Sequence, residues 1–133
     1  MLDTDILIYL IKNRSPAVAE RVNRLAPEAG LCMSFVTHAQ LLKGAERGTR
    51  KDEVLRRIAA LTRVVPVSYQ ASPALCAHYA HHAARLEDAG TPIGGNDLWI
   101  ACHALALDCV LVSNNEREFR RIDGLAVENW ATS

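Results

Sequence analysis

Apolar residues recur along this chain in two rhythms: short unbroken runs that suit buried strands, and spaced stripes that suit helices. Met1-Leu2 is a clipped apolar lead into Asp3. The following Ile6-Leu7-Ile8-Tyr9-Leu10-Ile11 reads as a buried helix whose first turn Thr4 or Asp5 can cap. Pro16 suits the first position of a second helix carrying Val18, Val22 and Leu25 on one face, before Pro27 and Gly30 break the pattern. Leu31-Cys32-Met33-Ser34 fits a short strand, followed by a helix that Thr37 can cap and that runs through Leu41-Leu42 to end near Gly44 or Gly48. Val54, Leu55, Ile58 and Leu61 keep a helical stripe ahead of a strand-like Val64-Val65-Pro66-Val67, and the next helix opens at Ser72-Pro73 and runs towards Gly90. Gly94-Gly95-Asn96 forms a turn before the helical Asp97 to Leu105. Cys109-Val110-Leu111-Val112 makes a last buried strand, and Leu125-Ala126-Val127 fits an edge strand.

Helices alternating with short apolar strands predict an α/β fold with a mainly parallel sheet, covered on both faces and joined by right-handed crossovers. With 133 residues and no repeat or linker, the expectation is a single domain over 1–133. The 15 basic and 15 acidic residues cancel, so net charge offers no reason to expect nucleic acid and leaves only a local basic face open. Cys32, Cys76, Cys102 and Cys109 form no Cys-x-x-Cys pair, and no signal peptide or apolar stretch approaches the ~20 residues of a membrane span. A reducing cytoplasm without membrane attachment is the expected setting.

Three acidic segments change this picture. Asp3, Asp97 and Glu118 each adjoin a short apolar run or open a helix-like stretch, and an open α/β sheet collects ligands at the carboxyl ends of its strands. Magnesium and manganese take oxygen ligands, so a few carboxylates from distant segments suffice to hold a hydrated ion. Taken singly, Asp3, Asp5 and Asp97 read as helix caps and Glu118 as a solvated charge; the combination is stronger than its parts. Thr4, Ser34, Thr37 and Ser113 carry hydroxyls that either orient these carboxylates or cap helices, and Asn96 can cap the helix bearing Asp97.

Other features carry less. His78, His81 and His82 lack the His-Glu-x-x-His arrangement of a zinc site and read as surface or packing residues. Trp99 and Trp130 read as packing residues, while Arg117, Arg120 and Arg121 suit either a solvated charged face or contact with nucleic-acid phosphates. Asp3-Thr4-Asp5 also matches the Asp-x-Asp nucleophile of a dehalogenase-like phosphatase. That reading fails on Leu7, on the absence of paired late aspartates, and on Asp97 left without a role.

Four segments in order carry a resemblance. They are Met1-Leu2-Asp3-Thr4-Asp5-Ile6, then Ser34-Phe35-Val36-Thr37-His38-Ala39-Gln40-Leu41, then Pro92-Ile93-Gly94-Gly95-Asn96-Asp97-Leu98-Trp99-Ile100-Ala101, and last Val112-Ser113-Asn114-Asn115 through Glu118-Phe119 and Glu128-Asn129-Trp130. Together they resemble the PIN-domain ribonuclease toxins called VapC, from bacterial VapB–VapC toxin–antitoxin pairs. The resemblance implies a three-layer α/β/α fold in which Asp3, an acid at position 40, Asp97 and a late acid gather around Mg2+ or Mn2+. It implies cleavage of structured RNA, with the nearest branch associated with the anticodon region of initiator tRNA. It further implies homodimers, and a VapB antitoxin that wraps the toxin, inserts a basic side chain into the acidic pocket and carries the complex to operator DNA.

Two departures from the family pattern matter. Gln40 stands where the pattern places glutamate, so an expected ligand is neutral and cannot act as a base; a weakened or inactive enzyme is expected, whether the change is natural or was made to silence a toxin. After Ser113 many relatives place an aspartate near the position of Asn115, and Glu118, one turn on, is the expected replacement. The site set is therefore Asp3, Asp97 and Glu118 as metal ligands, Gln40 at the fourth place, Asn115 as a polar neighbour and Asp5 as a less favoured additional ligand. The alternative is a non-catalytic binding module that engages an antitoxin or RNA.

Overall fold

The computed structural model describes residues 1–25 and 30–131; the helix break expected at Pro27 lies outside them. Seven helices and four short strands occur among these residues: α1 (Thr4–Ile11), α2 (Pro16–Leu25), β1 (Met33–Ser34), α3 (Phe35–Arg47), α4 (Lys51–Val64), β2 (Val67–Ser68), α5 (Pro73–Asp88), α6 (Gly95–Ala106), β3 (Leu111–Val112), α7 (Glu116–Phe119) and β4 (Val127–Glu128). Each strand pairs for two residues only, shorter than the three- and four-residue apolar runs suggest.

Helix starts follow local chemistry, with three corrections. Asp3, rather than Thr4 or Asp5, is the N-cap of α1, its Oδ1 accepting from the Thr4 amide at 2.8 Å. Ser34, not Thr37, caps α3 by accepting from the Val36 amide at 3.2 Å, which leaves Thr37 buried inside the helix. Asn96 is a helical residue of α6, and the cap position belongs to Gly94, which offers no side-chain bond. Ser72 with Pro73 opens α5 as the sequence predicts, and Gly90 at φ +70° lets the chain turn away after it. Trp99 and Trp130 pack as expected. Trp99 stacks on Tyr79 with ring centroids 3.9 Å apart, and Trp130 is buried with the Arg21 guanidinium 5.0 Å from its ring centroid.

β1 pairs with β2 and β3 with β4, both in parallel, and Leu2 bridges the two ladders. It forms a parallel bridge to Val112 on one side and donates its amide to the Cys32 carbonyl at 2.8 Å on the other. The lateral order is thus β4, β3, Met1-Leu2, β1, β2. Alternation along these strands splits the core in two. Leu2, Met33 and Val112 join the cluster made with α1 to α4, whereas Met1 and Leu111 join the cluster made with α5, α6 and α7. Helices therefore cover both faces, giving an α/β/α sandwich.

Candidate metal centre at the carboxyl ends of the strands

The two-residue lead Met1-Leu2 sits in the middle of the sheet, and the chain leaves it directly into α1, so Asp3 is delivered to the sheet's carboxyl edge. Its backbone amide bonds the Val112 carbonyl at 2.9 Å, and the residue is only 4% exposed. Both carboxylate oxygens are held: Oδ1 by the Thr4 amide, and Oδ2 by the Ser113 hydroxyl, which donates at 2.7 Å. Ser113, at the end of β3, in turn accepts from the Asn115 amide at 2.9 Å, tying the strand end to the start of α7.

Asp97 lies in the first turn of α6 and Glu118 in α7. Asn115 spans them, its Nδ2 reaching Asp97 Oδ2 at 3.4 Å and Glu118 Oε2 at 3.5 Å. The sequence suggested only a polar neighbour at Asn115; this bridging between two acids was not foreseen. Asp5, on the next residue but one after Asp3, accepts from the Asn114 amide through Oδ2 at 3.0 Å, while its buried Oδ1 has no hydrogen-bond partner.

Gln40 projects from α3 towards the start of α1. The Thr4 hydroxyl has one proton; it donates to Gln40 Oε1 at 2.6 Å, and the 3.1 Å contact with Thr37 is then supplied by the Thr37 hydroxyl. Thr4 and Thr37 thus serve Gln40, Ser113 orients Asp3, and Ser34 touches none of the acids. Ser34 instead meets the buried His103, whose Nδ1 lies 2.8 Å from Ser34 Oγ and whose Nε2 lies 3.2 Å from Ser68 Oγ, fastening α6 to the ends of β1 and β2. Nothing in the sequence pattern marked His103, because a single polar residue on an apolar helix declares no partner.

The electrostatics follow from burial and crowding. Burial, and then the charge of Asp5, push Asp3 up from 3.8 to about 6. Burial followed by the charges of Asp3 and Glu118 raises Asp97 to about 6 as well, with the Asn115 amide partly offsetting it. Asp5 is raised chiefly by burial, against the stabilising Asn114 amide. Among the described residues no cation pairs with any of these acids; the ion pairs formed lie elsewhere.

A hard divalent cation fits this donor set: all its donors are oxygens, their charge is uncompensated, and Asp5 Oδ1 is a buried acceptor without a donor. Among the described residues no three His, Cys, Asp or Glu side chains are already drawn to one ligand position, His78, His81 and His82 included. An ion that keeps most of its water, as magnesium does, needs few direct carboxylate contacts.

Residues 1–125 match the PIN domain family. Over 130 residues the chain is 48% identical to ribonuclease VapC1 of Haemophilus influenzae, covering 98% of this chain and 96% of that protein. It is 37% identical over 132 residues to the tRNA(fMet)-specific endonuclease VapC of Shigella flexneri, covering 98% and 97%. Among solved structures, VapBC2 of Rickettsia felis bound to a DNA fragment from its promoter superposes with a TM-score of 0.91 at 31% identity, covering 98% of this chain and 97% of the matched one.

Proposed function

Because the chain belongs to the PIN-domain family and, within it, to the VapC ribonucleases, we propose that it is the toxin of a VapB–VapC pair, a divalent-metal-dependent endoribonuclease whose activity Gln40 weakens. The observation that carries this reading is the set of Asp3, Asp5, Asp97 and Glu118, brought together at the sheet's carboxyl edge without a paired cation. PIN-domain ribonucleases generally depend on divalent metal. Asp3, Asp97 and Glu118 would hold Mg2+ or Mn2+ here. Such an ion positions a phosphodiester, acidifies the attacking water and offsets charge on the leaving oxygen.

The chain's own residues set the frame for that chemistry. The Thr4 amide and Ser113 hydroxyl fix the plane of the Asp3 carboxylate, and Asn115 holds the Asp97 and Glu118 carboxylates within reach of each other. Gln40 is neutral and its oxygen already accepts from Thr4, so it neither adds charge nor takes a proton. Proton acceptance therefore falls to the three carboxylates, and the site lacks one negative charge that the family pattern supplies.

Structured RNA is the proposed substrate, with initiator tRNA cut in its anticodon region as the favoured target by likeness to the Shigella relative. A VapB-like antitoxin is the proposed partner, contributing a basic side chain to the acidic pocket and joining the complex to operator DNA; likeness to the Rickettsia felis VapBC2 complex bound to promoter DNA supports the antitoxin and the DNA. A guanidinium suits carboxylates that otherwise face a metal, because it pairs with them in two places. A homodimeric toxin in the cytoplasm completes the proposal.

Gln40 also supports a second reading, a non-catalytic module that binds antitoxin or RNA. RNA cleavage with Mg2+ or Mn2+ separates the two, comparing the chain with Gln40→Glu and with Gln40→Glu plus Asp97→Ala, on initiator tRNA and total RNA. Cleavage gained in the single variant and abolished in the double variant is the expected result. A folded, metal-binding Gln40→Glu protein that cuts neither RNA would overturn the nuclease reading.

A further inference from the structure

Four clustered carboxylates repel a phosphodiester, and for the stretch of RNA backbone beyond the proposed cation that repulsion is offset by positive charge close by. α7, which carries Glu118, and the turn after it supply that charge. Phe119 is fully buried and Ile122 is 2% exposed, which anchors this turn against the core and leaves its arginines outward. The three arginines are not equivalent. Arg120 is engaged by Glu116 at 3.3 Å. Arg117 is exposed and forms no ion pair or side-chain hydrogen bond among the described residues, although glutamates flank it on both sides. Arg121, one helical turn beyond Arg117, gives a single exposed bond to the Pro92 carbonyl at 3.3 Å and keeps its other donors free.

That bond places Arg121 beside the Pro92 to Gly95 turn that leads into α6 and Asp97. Gly94 has an ordinary φ of −55°, and Gly95 lies within the helix, so neither needs glycine's conformational freedom. A Cβ at Gly95 would meet nothing within 4 Å, and one at Gly94 would meet only Asp97 Oδ2 at 3.9 Å. The fold does not require these two positions to be bare. Their emptiness leaves open the turn that separates Asp97 from the Arg121 guanidinium.

We infer that Arg117 and Arg121 form a phosphate-binding subsite beside the acidic centre, holding the RNA backbone next to the cleaved linkage across the open Gly94-Gly95 turn. The inference rests on the ribonuclease reading above and names its substrate contacts. Guanidinium groups suit this role because each presents a planar fork of donors to phosphate oxygens. Arg120, already neutralised by Glu116, stands outside it.

The test is RNA affinity rather than turnover, measured by fluorescence anisotropy of a labelled tRNA anticodon stem-loop with Ca2+ in place of Mg2+ or Mn2+, across a series of KCl concentrations. Arg117→Ala and Arg121→Ala should each weaken binding about fivefold near 0.1 M salt and reduce the slope of log K against log salt by about 0.7, as expected for one lost phosphate contact on a single strand. Arg117→Lys should keep the slope, and Arg120→Ala should change neither quantity. Gly95→Leu should weaken RNA binding without lowering the urea midpoint. Unaltered slopes in both alanine variants, with wild-type RNA binding intact, would overturn the subsite alone. Loss of antitoxin binding with RNA affinity retained would assign the arginines to a protein contact and overturn it equally. No RNA binding by the wild-type chain would overturn both the subsite and the reading on which it rests.

Discussion

Replacing Asp3 with asparagine removes a buried charge while keeping the side chain's shape, and the consequence for folding depends on pH in a direction opposite to most aspartates. Asp3 is 4% exposed and its proton is held up to about 6 instead of 3.8. The folded state therefore binds that proton more tightly than the unfolded chain. Stability from this group is fully present below about pH 4 and is lost as pH rises through about 6. The displacement from 3.8 to about 6 is worth about 3 kcal/mol at neutral pH, an upper value because Asp5 shares in causing it. Asparagine keeps an oxygen for the Thr4 amide, but must reverse the bond with Ser113, at a cost of about 1 kcal/mol. In chelator, Asp3→Asn should thus lie about 1 kcal/mol below wild type at pH 4 and about 1–2 kcal/mol above it at pH 7.5. Urea unfolding of both proteins across that range reads the difference and cancels every titrating group that does not interact with Asp3, leaving Asp3 together with its effect on Asp5 and Asp97. Saturating Mn2+ should raise wild type alone. A difference that stays constant with pH, or moves against the variant as pH rises, would refute the electrostatic account of the site.

Two further outcomes follow from packing. Phe119→Ala removes a fully buried ring beneath α7, so urea unfolding should show a loss of about 3–5 kcal/mol; a loss under 1 kcal/mol would mean that the ring does not anchor the turn. His103→Ala leaves the Ser34 and Ser68 hydroxyls without their buried partner and should cost about 2–4 kcal/mol by the same assay. Burial holds the His103 pKa below the ordinary 6.5, so its contribution is complete above that pH and fades as pH falls. The penalty of the substitution should accordingly shrink between pH 7 and pH 5, and a penalty that grows would contradict the neutral imidazole.

Periodicity revealed the helices well because most carry a sustained apolar stripe, and it revealed the parallel α/β plan because those stripes alternate with short runs. Strand lengths were less legible. A two-residue strand such as Met1-Leu2 has no alternation to read, and its central place depends on partners more than a hundred residues away in β3. Caps were misplaced by one to three residues at Asp3 and Ser34 because neighbouring Thr4, Asp5 and Thr37 have equally suitable side chains, and only the chain's exit angle from the strand selects among them. The acids themselves were visible as residue types. Their mutual approach, the amide bridge at Asn115 and the Thr4 hold on Gln40 arise from tertiary placement, which no local pattern encodes.

That placement gives the first three residues a double burden. Met1 and Leu2 face opposite sides of the sheet and join its two cores, so the strand they form is fixed by packing on both faces. Asp3 inherits that rigidity: its amide is committed to Val112, its side chain caps α1, and Ser113 completes its coordination from the neighbouring strand. A carboxylate so constrained cannot swing out to solvent to relieve its charge, which is why burial outweighs two hydrogen bonds and keeps its proton affinity high. In the metal site proposed above, the same constraint preforms Asp3 as a ligand, since little side-chain freedom remains to be lost when a cation arrives. Under that proposal, instability in the absence of metal and readiness to bind it are two results of one arrangement, set by a sheet segment only two residues long.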